Sequence, residues 1–158
     1  MTDTFRYSRS ILIQAPREQI APEISDLRRH ECWSPFAAPD PRTTSSYEGV
    51  PGVGQSRTFA GGRSGAGRIS VDAVEAGRIA MTLLMTRPVR TLNAIEFLLQ
   101  PEGGGTRVSW IMTGPNTLVS RIIGLFIDCE AMCGRMFDQG LVALKTHVEG
   151  RPETALAA

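Results

Sequence analysis

The alternating segment over residues 55–113 most constrains what this chain can fold into. Apolar side chains recur there at every second position, as in Ile79, Met81, Leu83 and Met85, and short glycine-containing segments interrupt the runs. Alternation of this kind is typical of β-strands with one buried face, and the glycine segments are typical of tight turns. The sequence therefore predicts a series of antiparallel strands whose apolar faces point to one interior.

The segment before this region predicts one strand and two short helices. RYSRSILIQ, residues 6–14, is β-prone and stops at Ala15-Pro16, where a proline can begin a helix but cannot continue a central strand. In the following REQIAPEISDLRRH we expect a short helix, a break near Pro22 and a second short helix that turns Ile24 and Leu27 inward.

The segment after the alternating region predicts a long helix that ends near Glu149. GPNT, residues 114–117, supplies a proline and two possible N-cap residues at its start. Each glycine inside weakens a helix by roughly 1 kcal/mol relative to alanine, so we expect a bend or break near Gly124 or between Cys129 and Gly134. The second half carries an apolar stripe formed by Cys129, Met132, Cys133, Met136, Phe137, Leu141, Leu144 and Val148.

Length and charge exclude several classes of protein. The 158 residues suit one domain over residues 1–150 with a flexible tail over residues 151–158. A net charge of +1, with two tryptophans and two tyrosines, argues against nucleic-acid binding. The N-terminus lacks a signal-peptide pattern and no apolar run approaches the roughly 20 residues of a membrane span. We expect a cytoplasmic protein without stable membrane insertion.

Two patterns raise the possibility of a bound metal or phosphate. Cys129 and Cys133 are four residues apart and would share a helix face, where Cys32 or a histidine could complete a metal site. Their position in an apolar stripe favours packing instead. The segment GGRSGAGR lacks the Gly-Lys-Ser/Thr ending of a phosphate loop and precedes a strand, so a hairpin turn is predicted there. We predict no metal and no cofactor.

Candidate acid-base residues lie in the segment DLRRHE. Asp26 and His30 are four residues apart and Glu31 follows, which could form an acid-base pair. The density of charge at the end of a short helix favours a solvated surface instead, with His30 placed by the helix dipole. No Gly-x-Ser-x-Gly nucleophile motif is present in the sequence.

Two polar residues occupy strand positions whose neighbours should face inward. Asn93 is in register with Ile95 and Phe97, and Arg57 is in register with Phe59. A buried arginine or asparagine left without a partner costs roughly 1–3 kcal/mol, so each must be paired or must contact a ligand. For Arg57 the alternative is a strand of reversed parity, in which this side chain points into water.

The segment HECWSPFAAPDPR, residues 30–42, combines chemically active residue types with prolines. Trp33 and Phe36 fit an aromatic closure between the short helices and the next strand, and Asp40 is expected to tie the loop together or to lie at a pocket entrance. Cys32 has no activating base nearby in the sequence pattern. We interpret the segment as pocket wall and rim.

The order of these elements and several particular segments resemble the START-like superfamily, also called the Bet v 1-like or SRPBCC group, and within it the bacterial polyketide cyclase/dehydrase-like proteins. The segments are SRSILIQAPREQI, SDLRRHECWSPFAAPDP, YEGVPGVGQSRTFAGG with GAGRISV, GGGTRVSWIMTG and MFDQGLVALKTHVE. The resemblance implies an α+β helix-grip fold, in which a curved antiparallel sheet of about seven strands surrounds a long C-terminal helix and two short helices follow strand 1.

The resemblance also implies an internal cavity for a small hydrophobic ligand such as a lipid or polyketide. Its lining would be Trp33, Phe36, Arg57, Phe59, Ile69, Met81, Leu83, Met85, Asn93, Ile95, Phe97, Trp110, Met112, Phe126, Met132, Met136 and Phe137. A solid core built from the same residues is the alternative.

Two functions remain open under this resemblance. The first is sequestration or transport of the ligand. The second is a cyclase or dehydratase, with Arg57 or Asn93 polarising a carbonyl and Asp40 or Tyr47 assisting near the mouth. The chain is expected to be a monomer or a homodimer, and its apolar segment over residues 118–127 to form a lid, a core segment, a membrane contact or a dimer seam.

Overall fold

Seven strands and three helical segments make up the described part of the chain. The computed structural model describes residues 4–62, 65–87, 90–116 and 129–150. The strands are β1 Thr4–Ile13, β2 Thr43–Glu48, β3 Ser56–Gly61, β4 Ala66–Glu75, β5 Arg78–Arg87, β6 Thr91–Glu102 and β7 Gly105–Pro115. The helical segments are α1 Arg17–Ser25, a 3₁₀ helix Leu27–Cys32 and α2 Cys129–Glu149.

All seven strands form one antiparallel sheet in the order β1-β7-β6-β5-β4-β3-β2. Strands β2 to β7 follow one another as hairpins, and β1 pairs with β7 at the far edge. The turn between β6 and β7 consists of Gly103 and Gly104, whose φ angles of 55° and 84° lie in the left-handed region that glycine adopts without strain. The predicted curved sheet, the short helices after the first strand and the C-terminal helix are confirmed.

A bulge in β4 changes which residues of that strand face inward. Val71 pairs with Met81, but the next pair is Ala73 with Ala80, so Asp72 is the extra residue. The alternation of the sequence over residues 68–74 predicts that Ala73 shares a face with Ile69 and Val71, and the bulge makes this prediction wrong. Alternation within one strand cannot reveal a bulge, because a bulge is defined by pairing: two residues of one strand lie opposite a single residue of its partner.

The first helix continues through the proline that was predicted to break it. Pro22 lies inside α1, and the chain leaves the helix at Asp26, which has φ −99° and ψ 107°. The Asp26 carboxylate accepts a hydrogen bond from the backbone N–H of Arg28 and so caps the 3₁₀ helix. Ile24 and Leu27 are buried as predicted, on either side of this break.

Helix α2 is unbroken across Gly134 and Gly140, so the predicted break between Cys129 and Gly134 does not occur. The ammonium of Lys145 donates a hydrogen bond of 2.8 Å to the carbonyl of Leu12 in β1. A Cβ at Gly134 would meet the guanidinium end of the Arg9 side chain, which is flexible enough to move aside. The other predicted bend, near Gly124, the start of the long helix and the apolar segment over residues 118–127 lie outside the described residues.

Candidate functional site

The inner face of the sheet has two ends of different character. At one end, called the packed end, Phe97 of β6 and Trp110 of β7 pair across the strands, and Trp110 stacks on Phe137 of α2. At the other, called the polar end, a row of paired residues crosses the sheet from β2 to β6. That row is Tyr47, Arg57, Ile69, Leu83 and Asn93.

The packed end is filled by aromatic contacts. The rings of Trp110 and Phe137 stack with centroids 4.3 Å apart and planes 3° apart, and Trp33 meets both Trp110 and Phe97 edge-on. Phe36, which is half-buried, packs on Trp110 and Phe137. The buried core that includes this end also contains Met81 and Ile95 from the predicted cavity lining. For these residues the structure shows contacts with one another, as in a solid core.

The polar end is less completely buried. The apolar side chains of Ile69, Leu83, Met85 and Met112 are each half-buried on the inner face, whereas those of the packed end are almost fully enclosed. Half-buried apolar surface on a concave face is the usual lining of a ligand pocket.

The remaining predicted lining residues lie on helix α2 or before it. Met136 is half-buried. Met132 is 42% exposed, so the prediction that its side chain points inward is wrong. On α2, Met132 lies on a different face of the helix from the buried side chains of Phe137 and Leu141. Phe126 lies outside the described residues.

Arg57 points inward from the middle of β3 and is 7% exposed. Its Nε and Nη2 donate hydrogen bonds of 3.2 and 3.0 Å to the hydroxyl of Ser45 on β2. Its guanidinium lies 5.1 Å from the ring centroid of Phe59, which is also buried. The alternative in which Arg57 points into water is therefore wrong.

Tyr47 is the cross-strand partner of Arg57. Its hydroxyl is buried, and the O–H has no acceptor among the described residues, although the oxygen interacts with the guanidinium of Arg57. Its ring is covered by the guanidinium of Arg28 at 4.4 Å from the centroid. Burial, and to a lesser degree the Glu31 carboxylate, raise the pKa of Tyr47, although Arg57 and Arg28 oppose the change. The hydroxyl is therefore protonated at neutral pH and available as a donor.

His30 is buried next to this pair, which corrects the prediction that it lies on a solvated surface. Its Nε2 is 2.6 Å from the carbonyl of Ile24, and because a carbonyl can only accept, Nε2 carries the proton. Burial lowers the pKa of His30 to about 4, and the charge of Arg57 acts in the same direction. His30 is a neutral imidazole at physiological pH. The charge density of DLRRHE concealed this, because the 3₁₀ geometry turns His30 inward together with Leu27 and leaves Arg28, Arg29 and Glu31 exposed.

Asn93 closes the other side of the row. Its amide nitrogen donates to the Thr91 hydroxyl at 3.0 Å and to the Leu83 carbonyl at 3.3 Å. Its amide oxygen lies against Gly114, where the absence of a Cβ leaves it room. Asn93 is 6% exposed, as predicted for an inward position, but it has local partners that satisfy its donors.

The loop over residues 30–42 encloses the packed end. The Trp33 indole N–H donates to the Glu23 carbonyl at 2.9 Å, and the Asp40 carboxylate accepts from the backbone N–H of Arg42 at 2.9 Å. Asp40 therefore ties the loop together, one of the two roles predicted for it. Cys32 is exposed.

A second buried donor lies at the packed end. The indole Nε1 of Trp110 is buried and has no hydrogen-bond partner within the described part of the chain.

Within the described residues, no group of three His, Cys, Asp or Glu side chains is arranged to hold a metal ion. No helix among residues 4–62, 65–87, 90–116 and 129–150 is long and apolar enough to cross a membrane.

Residues 4–149 match a family model described as "Polyketide cyclase / dehydrase and lipid transport". The chain belongs to this family. The predicted membership of the Bet v 1-like superfamily is confirmed by this match and by similar solved structures. No match was found among curated proteins.

Three solved structures illustrate how widely this family's fold is shared. A protein from Chromobacterium violaceum is 21% identical, with 92% of this chain and 96% of that chain covered and a TM-score of 0.63. The Aha1 dimer from Colwellia psychrerythraea is 19% identical over 92% and 96%, with a TM-score of 0.62. Ara h 8.0201 is 12% identical over 94% and 100%, with a TM-score of 0.62. Identities this low establish a common fold and nothing more.

Two members of the polar end were missed as site residues by sequence reasoning. Ser45 and His30 contribute to the surroundings of Arg57, and Tyr47 was considered only near the mouth. The segment TTSSYE has no apolar alternation, so its inward face could be identified only from its pairing with β3.

Proposed function

We propose that this chain binds a small apolar molecule on the inner face of its sheet, at the polar end. The observation that carries the proposal is the row across the sheet, in which half-buried Ile69 and Leu83 lie between polar residues on either side. Burial of such apolar surface by a ligand is favourable, with a free-energy gain of roughly 25 cal/mol for each Å² removed from water. Met85, Met112 and Met136 are half-buried as well, and methionine adapts its shape to varied ligands.

Two further facts support binding of a molecule that carries oxygen atoms. The hydroxyl of Tyr47, at the polar end, is a buried donor without an acceptor among the described residues. An unsatisfied buried donor costs about 1–3 kcal/mol, which a ligand oxygen would recover. The family description includes lipid transport, which suits such a ligand.

A matched pair of substitutions on β5 tests where the ligand binds. Leu83 faces the inner surface, whereas its neighbour Leu84 pairs with Arg68 and Leu92 on the outer surface. We expect Leu83→Trp to fill the pocket and weaken binding of a neutral apolar fluorescent probe by about tenfold or more, and Leu84→Trp to leave it unchanged. Native mass spectrometry should detect one apolar molecule per chain in wild type. Equal binding by both variants would exclude this location.

The second candidate function is a cyclase or dehydratase, and the pairing of Tyr47 with Arg57 favours it. A protonated tyrosine beside a guanidinium can polarise a carbonyl and supply a proton to it. Incubation with a diketide thioester, followed by mass spectrometry for loss of water, tests this function. We expect turnover to fall by about 10²-fold in Tyr47→Phe while probe binding persists. Absence of turnover in wild type, with the diketide bound, leaves binding as the function.

The oligomeric state and a cytoplasmic location remain predictions under either function. Light scattering at several concentrations would distinguish a monomer from a homodimer.

A further inference from the structure

The charge of Arg57 is not balanced by any carboxylate in the described part of the chain. Its contacts there are the Ser45 hydroxyl, the hydroxyl oxygen of Tyr47 and the ring of Phe59, and no ion pair involves it. Transfer of a cation from water to a protein interior is costly unless the charge is paired. Arg57 is therefore a buried positive charge whose polar partners are hydroxyl groups and not a carboxylate.

Other arginines of the chain show what a paired guanidinium looks like here. Arg78 is 2.6 Å from Glu96, and Arg107 is 2.8 Å from Glu102, although both arginine side chains are more than a third exposed. The buried carboxylate Glu23 is paired with Arg29 at 2.7 Å and with His147 at 3.1 Å. The contrast shows that Arg57, which is far less exposed than these arginines, has no counter-ion within the described ranges.

The immediate surroundings of Arg57 suit an oxygen-bearing anion. The hydroxyl of Tyr47, its cross-strand partner, is a buried donor without an acceptor in the described residues. His30 adds no second charge, because its burial keeps the imidazole neutral. An arginine with an adjacent hydroxyl donor is well matched to a carboxylate, since guanidinium nitrogens and O–H groups can share its two oxygens.

The apolar part of such a ligand has a path along the same row. From Arg57 the row continues through Ile69 and Leu83 to Asn93, across three strand spacings, or roughly 14 Å. Both intermediate side chains are half-buried and apolar. The path is therefore cationic at Arg57 and apolar where it crosses Ile69 and Leu83.

We infer that Arg57 and Tyr47 bind the carboxylate of an otherwise apolar organic acid whose hydrocarbon part lies over Ile69 and Leu83. The inference rests on the proposed binding function and adds the chemical class of the ligand. Fatty acids and aromatic acids both have this chemistry, so each is a separate arm of the test.

The test compares acids with their uncharged esters. Decanoic acid and methyl decanoate form one arm, and 2-naphthoic acid and its methyl ester form the other. Each competes with a neutral apolar fluorescent probe at pH 7 and low salt. We expect the acid of at least one arm to bind about tenfold more tightly than its ester to wild type, because an ionised hydrogen bond is worth more than a neutral one.

Arg68 provides a matched control for the substitution of Arg57. It is exposed on β4 and also donates to a serine hydroxyl, that of Ser56, at 3.1 Å. We expect Arg57→Gln to abolish the preference for the acid, Tyr47→Phe to reduce it severalfold, and Arg68→Gln to preserve it. Circular dichroism confirms that each variant is folded.

A measurement on wild type keeps the inference testable if Arg57→Gln does not fold. Titration of ¹³C-carboxyl-labelled decanoic acid bound to wild type should show the carboxyl group ionised to a lower pH than in water. Equal affinity for acid and ester, or an unshifted or raised bound pKa, would overturn the inference and leave the proposed function intact. Failure of probe, acids and esters alike to bind would overturn the proposed function itself.

Discussion

The packed end and the polar end of the inner face are built on the same strands, yet their side chains are buried to different degrees. At the packed end, Phe137 from α2 stacks on Trp110 and Trp33 closes the side. At the polar end, Arg57 and Tyr47 occupy positions equivalent to those of apolar residues in neighbouring strands. Sheet geometry alone therefore does not decide between core and pocket. The side chains that meet the face decide it.

The largest expected difference between the two ends is in the free energy of unfolding after truncation of leucine. Leu144 of α2 is fully buried in the core, and Leu144→Ala should cost about 3–5 kcal/mol because it leaves a cavity. Leu83 is half-buried at the polar end, so Leu83→Ala should cost about 1 kcal/mol. Urea denaturation of both variants measures these values. Equal losses would show that the polar end is as well packed as the core.

A loss of stability of similar size is expected on acidification, and it arises from His30. Its pKa is lowered from 6.5 to about 4 in the folded protein, so folding favours the neutral form. The stabilisation is present above pH 6.5 and is lost as the pH falls towards 4, by up to about 3 kcal/mol. Urea midpoints at several pH values should therefore fall less steeply in His30→Gln than in wild type. Identical pH dependence in the two proteins would contradict a buried, neutral His30.

A smaller effect is expected from adding one methyl group to helix α2 at the packed end. A Cβ at Gly140 would lie 2.8 Å from Cζ3 of Trp110 and 3.0 Å from Cδ of Pro35, so Gly140→Ala should destabilise by about 1–3 kcal/mol despite its better helix propensity. Gly134→Ala is the matched control, because a Cβ there meets only the mobile end of the Arg9 side chain. Thermal melts compare the two. If Gly140→Ala were stabilising, the aromatic stack would be able to shift and accommodate the added methyl group.

The smallest expected effect concerns the Tyr47 hydroxyl of the polar end. Tyr47→Phe removes a buried O–H that has no acceptor in the described chain, so the free energy of unfolding should change by less than about 0.5 kcal/mol or rise slightly. Thr106→Val removes a buried hydroxyl that donates to the Ala15 carbonyl at 2.8 Å, and should cost about 1–2 kcal/mol. A loss in Tyr47→Phe as large as in Thr106→Val would indicate an acceptor for the Tyr47 O–H.

Much of the fold could be predicted because its signals are local. Alternation identified the strands over residues 55–113, and the glycines of the β6–β7 turn identified a hairpin that has two positive φ angles. The errors at Ala73 and Pro22 also have local causes, a bulge and a tolerated helical proline. Neither feature changes the apolar pattern from which such predictions are made.

The candidate site was less predictable because its residues are brought together by strand pairing. Arg57 and Asn93 could be identified as polar residues at inward positions, and both are buried. His30 was assigned to the surface, since the charges around it outweighed any sign of burial. The sequence around Ser45 has no apolar alternation, and the contact of Ser45 with Arg57 is fixed by the register between β2 and β3.

By itself, the sequence determined the class of fold, because the periods of two and 3.6 residues and the turn glycines are properties of neighbouring residues. Only the tertiary structure decided how deeply each part of the inner face is buried, which polar side chains meet there and which of them lack a counter-ion or an acceptor. Those properties depend on the register between strands and on the contact of α2 with the sheet, and residues such as Tyr47 and Asn93 acquire a common environment only when both are fixed.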